Sequence, residues 1–140
     1  MEHVRVIFLD SWVWIEFFAE DERWRDAEAV IERISERGAV LAPTVLMEVR
    51  YRIGQKYDAE RADRVVEIIQ RFDELEIAPI TTEAALTAAR LREKYYQRGE
   101  RELSYADAIH LAIAVMTDCD VLYSGDSDFK ELDEIETEII

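Results

Sequence analysis

Residues 4–16 read VRVIFLDSWVWIE, and the six that precede Asp10 decide the fold. Apart from Arg5 they are apolar, mostly β-branched or aromatic, and they do not alternate. Such a run marks a central parallel strand covered on both faces, because an exposed face would call for a polar residue at every second position. Asp10 ends the run, and large apolar residues resume directly behind it. A buried carboxylate without a partner is costly, so Asp10 must reach water, find donors or hold a cation.

Outward from that strand, the chain alternates. Residues 12–19 read as a short helix, and 24–37 as a longer amphipathic one with Ala27, Val30, Ile31 and Ile34 at helical spacing and Gly38 as its stop. AVLA at 39–42 is a second strand. Pro43 suits the first position of a helix whose apolar face carries Val45, Leu46, Val49 and Ile53, with Gly54 as a breaker near its end. Residues 58–73 repeat the pattern through Ala62, Val65, Val66, Ile69 and Phe72, and LEIAPI at 75–80 is a third strand.

Thr81 or Thr82 can cap a helix running to about Gln97, with Ala85, Leu86, Ala89 and Tyr96 among its apolar positions, before the loop RGEREL. Ser104 and Asp107 have the form of an N-terminal capping box ahead of AIHLAIAVM, a helix apolar enough to be buried. DVLYS is a fourth strand, GDSDF a turn into a short helical piece, and IETEII a short final strand. Strands alternating with helices predict an α/β fold, a mainly parallel sheet covered on both faces.

The 140 residues fit one domain, 1–140, around one core. With 49% hydrophobic residues, 2 Pro and 4 Gly, the chain is neither disordered nor fibrous. The 32 acidic against 17 basic residues give a formal charge of −15, which repels RNA, DNA or an anionic membrane unless cations or a local basic patch intervene. Cys119 stands alone, so no intrachain disulfide forms and a reducing cytoplasm is the expected compartment, with the thiol as a small buried hydrophobe. Arg5, Asp10, Ser11 and Glu16 interrupt the only apolar segment near the N-terminus, which predicts a soluble chain that is not exported.

In open parallel sheets the ligand crevice lies beyond the carboxyl ends of the strands, where strand order reverses. Asp10 follows one strand, and Asp126 and Asp128 follow another. If those strands are neighbours, three carboxylates share one sheet edge, within reach of Glu48 on the helix after strand two and Asp107 at the start of the buried helix. Each also has an ordinary structural role open to it. Asp10 can cap the following helix, Asp107 can be the acid of a capping box, Glu48 can belong to a solvated face beside Arg50 and Arg52, and Asp126 and Asp128 can form a turn.

A cluster accounts for all of these placements at once. Its carboxylates would repel one another unless a cation neutralised them, and hard oxygen donors favour Mg²⁺ or Mn²⁺ over Zn²⁺. His3 and His110 are too few and too scattered for a zinc site, and His110 reads as a hydrogen-bonded core histidine.

Four stretches, FLDSWVWIE, PTVLMEVRY, SYADAIHLAIA and VLYSGDSDF, occur here in the order and spacing that resemble the PIN-domain family, and within it the VapC-type toxins of toxin–antitoxin systems. The resemblance spans nearly the whole chain. It implies a three-layer α/β/α sandwich and a metal-dependent ribonuclease with an acidic quartet, here Asp10, Glu48, Asp107 and Asp126. Asp128 resembles a supporting second acid of the last motif, Ser124 the hydroxyl residue before Asp126, and Ser11 the small hydroxyl residue after the first Asp. Trp12 departs from the family pattern, standing where a small polar residue is usual.

The implied reaction is phosphodiester hydrolysis of RNA with one or two Mg²⁺ or Mn²⁺ ions and no protein nucleophile. Arg50 and Arg52 follow Glu48 while Arg98 and Arg101 precede Asp107, so both pairs are candidates for phosphate binding, as well as for ordinary surface arginines. The resemblance also implies an antitoxin partner, which the acidic surface would attract, and a homodimer. Two other readings stay open at this point. Asp10 can be the nucleophile of an aspartyl-phosphate-forming domain or phosphatase, although position 12 is Trp rather than a second Asp. The chain can also be a PIN-like module that binds metal or RNA without cleaving it.

Overall fold

A computed structural model describes residues 6–140. His3 and the first two residues of the predicted opening strand, Val4 and Arg5, lie outside the described residues. The strands are β1 (Ile7–Leu9), β2 (Ala39–Leu41), β3 (Leu75–Ile77), β4 (Val121–Ser124) and β5 (Glu136–Ile139). The helices are α1 (Ser11–Phe18), α2 (Trp24–Glu32), α3 (Ile34–Arg37), α4 (Pro43–Lys56), α5 (Ala59–Gln70), α6 (Thr82–Tyr95) and α7 (Tyr105–Met116), and a 3₁₀ turn covers Ser127–Phe129.

All strand pairings are parallel, in the order β3-β2-β1-β4-β5. The chain therefore builds to one side of β1, then crosses back to place β4 on its other side. With the right-handed crossovers of parallel sheets, α1–α5 cover one face and α6–α7 the other. The result is the expected α/β/α sandwich. Strands β1, β2 and β4 are wholly buried, whereas the edge strands β3 and β5 alternate and carry Glu76, Glu136 and Glu138 outward. Charged edges of this kind discourage pairing with another sheet.

The core is built from Phe8, Trp14, Leu111, Leu122 and Phe129, all fully buried. The apolar helix α7 is buried as expected and lies between α6 and the sheet, against β2 and β4. No helix among the described residues is long and apolar enough to cross a membrane.

Three details differ from the sequence reading. The helix expected over 24–37 is interrupted at Arg33, whose N–H bonds to the carbonyl of Val30 at 3.0 Å, a tightened i→i−3 turn that separates α2 from α3. Gly38 still ends it, at φ +75, where a side chain would be strained. Gly54 does not break α4, which continues to Lys56. A Cβ there would lie 2.9 Å from Nη1 of Arg50 and 3.7 Å from Cβ of Ala62, so the glycine marks the close approach of α5.

Finally, α6 buries Ala84, Ala88 and Leu91 and leaves Ala85, Leu86, Ala89 and Tyr96 exposed. Its alanines lie on several sides, so spacing alone did not single out a face. Packing against α7 did.

Candidate active site

Strand order reverses between β1 and β4, which pair in register from Ile7↔Val121 to Leu9↔Tyr123. The N–H of Asp10 extends the ladder to the carbonyl of Tyr123 at 3.0 Å, so Asp10 leaves the sheet beside the chain leading to Asp126. A cleft of about 450 Å³ opens there, and Asp10, Glu48, Asp107 and Asp126 all line it. Ser11, Trp12, Ile15, Glu16, Asp21, Tyr51, Arg52 and Ser104 complete the wall.

Asp10 is 3% exposed, and both its oxygens have partners. Nδ1–H of His110 donates to Oδ1 at 2.9 Å, and the Ser124 hydroxyl donates to Oδ2 at 2.8 Å. Asp10 immediately precedes α1 yet makes no side-chain cap bond to it. Its carboxylate is turned away from the helix and into the cluster.

Ser124 has a second task. Its Oγ accepts the N–H of Asp126 at 3.0 Å, so one hydroxyl ties Asp10 to the turn that carries the fourth acid. Oδ1 of Asp126 in turn accepts the N–H of Asp128 at 2.9 Å, the cap of the 3₁₀ turn. The turn-forming role considered for Asp126 therefore exists alongside its place in the cleft. Asp128 reaches Asp126 through its backbone and is not part of the cleft wall.

On α4, Ser11 Oγ donates to Oε1 of Glu48 at 3.1 Å, which fixes the second acid from the start of α1. Thr44 lies one helical turn before Glu48, and its Oγ1 is 2.8 Å from Nε2 of His110. The same nitrogen lies 3.6 Å from Oε1 of Glu48. His110, fully buried, thus joins β1, α4 and α7 through both ring nitrogens. It is the hydrogen-bonded histidine expected, but it belongs to the site rather than to the general core.

Asp107 closes the capping box with Ser104, accepting the Ser104 N–H at 3.3 Å while its own N–H bonds Ser104 Oγ at 3.0 Å. One ligand atom each from Asp10, Asp107 and His110 lies within 4.8 Å of the others. Burial, followed by the charge of Asp10, pushes the Asp107 carboxyl up to about 6, against the lowering effect of its Ser104 bonds and His110. Burial also raises Asp126, helped by Asp128 and Asp10 and opposed by the Asp128 N–H. Burial works against an imidazolium at His110, but the hydrogen bond and charge of Asp10, then Glu48 and Asp107, outweigh it and raise its pKa.

Glu16 extends the acidity along α1. Its carboxyl is raised by burial and then by Asp21, and its Oε2 is buried with no hydrogen-bond partner among the described residues. Ser11, Trp12, Ile15 and Glu16 recur at helical spacing, a signal present in the sequence but not used there. Tyr51 was missed for the same reason, and His110 lies three residues after Asp107 on one helical face.

The four arginines part company. Arg52 lines the cleft. Arg50 turns to α5, where Nε meets Oδ1 of Asp63 at 2.6 Å. Arg101 lies over the ring of Tyr95, 5.2 Å from its centroid, and Arg98 sits in the exposed turn closed by the Gln97–Arg101 bridge. The cleft wall thus holds six carboxylates and, among the described residues, one cationic side chain.

The donor set suits a hard divalent cation. Asp10, Glu48, Asp107 and Asp126 offer oxygen, both nitrogens of His110 are already engaged, and burial with the charge of Asp10 raises Asp107 and Asp126 from their ordinary values, as expected where positive charge is lacking. Asp10 makes a poor nucleophile, since both oxygens are bonded and it is buried.

A PIN-domain sequence profile matches residues 7–135. No curated protein matches the chain. Among solved structures, VapC20 of Mycobacterium tuberculosis, described as a sarcin-ricin-loop-cleaving toxin, superimposes with a TM-score of 0.77 at 21% identity, covering 93% of this chain and 97% of that one. DNA-bound VapBC from Salmonella typhimurium gives 0.70 at 22% identity, covering 96% and 97%. VapBC-5 of Mycobacterium tuberculosis, a toxin–antitoxin family member, gives 0.62 at 24% identity, covering 97% and 98%. At these identities the likeness is one of fold.

Proposed function

The chain belongs to the PIN-domain family, and from that premise we propose that it is a metal-dependent endoribonuclease, the toxin of a toxin–antitoxin pair, acting in the cytoplasm. The observation that carries this reading is the convergence of Asp10, Glu48, Asp107 and Asp126 on one cleft at the β1–β4 switch point. The profile match and the likeness of fold to VapC structures support it.

In this reading the four acids hold one or two Mg²⁺ or Mn²⁺ ions. Such an ion, when bound, supplies a Lewis acid for the phosphate oxygens and lowers the pKa of water. The chain's own residues do the rest. His110 and Ser124 fix both oxygens of Asp10 so that its orientation does not depend on substrate. Ser11 holds Glu48, and the Asp128 N–H holds Asp126. Arg52 meets the incoming phosphate. A protein antitoxin covers the acidic cleft with a basic segment, as the net charge favours, and the toxin pairs as a homodimer.

The test is cleavage of structured RNAs by purified protein in Mg²⁺, Mn²⁺ or EDTA, beside Asp10→Asn. Cleavage that needs the metal and disappears in the variant is expected. Undiminished cleavage by Asp10→Asn overturns the assignment, and acid-labile phosphorylation of Asp10 would replace it with the phosphotransfer reading.

A further inference from the structure

We infer that Trp12 is a nucleobase-stacking platform that seats a base beside the acid cluster. This deepens the nuclease reading and rests on it for the identity of the ligand. Trp12 is a partly buried residue of α1 that lines the cleft with Asp10, Asp107 and Asp126. A Cβ added to Gly125 would fall 2.0 Å from Cε2 of the indole and 2.3 Å from Cδ2 and Cζ2. The centre of the ring therefore lies against bare backbone, one residue before Asp126. No other amino acid at position 125 admits the indole there.

Trp14, two residues on, shows what an indole of α1 looks like when it serves the core: it is fully buried, with its ring 5.5 Å from that of Phe72 in an edge-on contact. Trp12 faces the other way, into the cleft. Tyr51, 63% exposed on α4, lines the same cavity, so the carboxylates share it with aromatic surface.

Charge supplies the second argument. A nucleic acid usually gains most of its affinity from cationic side chains on its phosphates. Here six carboxylates and one arginine line the cleft, in a chain of net charge −15. A divalent ion offsets this at the acids but not along a strand. Stacking on an aromatic face needs no charge, accepts every base, and is worth roughly ten-fold in affinity per base. A ring fixed flat against Gly125 offers that face without an ordering cost.

The test uses methylphosphonate trinucleotides, which carry no backbone charge, in EDTA, with and without the middle base. Their binding is read from Trp12 fluorescence, as the difference between wild type and Trp12→Phe, and independently by calorimetry. The probe should quench Trp12, and the abasic probe should bind about ten-fold more weakly. Trp12→Leu, which keeps apolar bulk without a π face, should lose that discrimination, while Trp12→Phe keeps part of it.

In RNA cleavage, Trp12→Leu should raise KM. Equal binding of intact and abasic probes by wild type, no binding at all, or unchanged discrimination in Trp12→Leu overturns the proposal. Metal-dependent RNA cleavage is scored separately. Cleavage without base discrimination defeats the platform alone, and discrimination without cleavage defeats the nuclease reading alone.

Discussion

Among the described residues, two aspartates stand directly before an α-helix in extended backbone, and they do different things. Asp58 caps α5: its Oδ1 accepts the N–H of Arg61 at 2.7 Å. Asp10 precedes α1 at φ −65 and ψ 158 and makes no such bond. Its oxygens go to His110, 100 residues away, and to Ser124, 114 residues away. A side-chain cap is worth about 1 kcal/mol. Helix α1 forgoes it so that a buried carboxylate can be held at the sheet edge. The same residue type at the same local position is structural at one site and committed to a cleft at the other, and only its partners tell them apart.

The largest effect expected from this contrast is on stability. His110→Ala removes the donor to Oδ1 of Asp10 and the partner of Thr44, leaving a buried carboxylate with a single donor, and should cost about 3–5 kcal/mol in urea unfolding. A loss no larger than that of Asp58→Ala would break the comparison.

Next in size is a pH dependence. Asp107 holds its proton to about 6 in the native state against an ordinary value of 3.8. The native protein therefore binds more protons than the unfolded chain across that window, and stability falls as pH rises through it, by about 3 kcal/mol for this group. Denaturation of the metal-free protein between about pH 4 and pH 6 reads the slope, and Asp107→Asn should flatten it. Added Mg²⁺ should raise Tm more above pH 6 than at pH 5.

Asp58→Ala should cost about 1 kcal/mol and leave RNA cleavage unchanged, as befits a cap alone. The smallest effect is at Arg50, whose exposed pair with Asp63 contributes at most about 1 kcal/mol. Arg50→Ala should leave KM for RNA near wild type, whereas Arg52→Ala should raise it. The reverse order would return Arg50 to the cleft.

The parts of this account legible in sequence were those set by local pattern. The apolar run before Asp10, the Pro43 helix start and the Ser104–Asp107 box each declare an element within a few residues, and all are present. The sequence left open whether the strand ending at Asp10 neighbours the one ending near Asp126, and the order β3-β2-β1-β4-β5 makes them neighbours.

What could not be read depended on partners distant in the chain. Nothing near His110 announces Asp10 or Thr44, and nothing beside Arg50 announces Asp63. The buried face of α6 was hidden because alanine fits either side of a helix. Trp12 stands where the family has a small polar residue, and nothing beside it in the sequence announces Gly125, 113 positions on, against its ring.

The claim that Asp10 is a ligand and not a cap is tested most directly by Mn²⁺ titration calorimetry of wild type and Asp10→Asn at pH 7.5, with helix content followed by circular dichroism. The account predicts that Asp10→Asn loses Mn²⁺ affinity by about 100-fold or more while α1 stays folded, since no cap bond is lost. Unchanged Mn²⁺ affinity in a folded variant would contradict it.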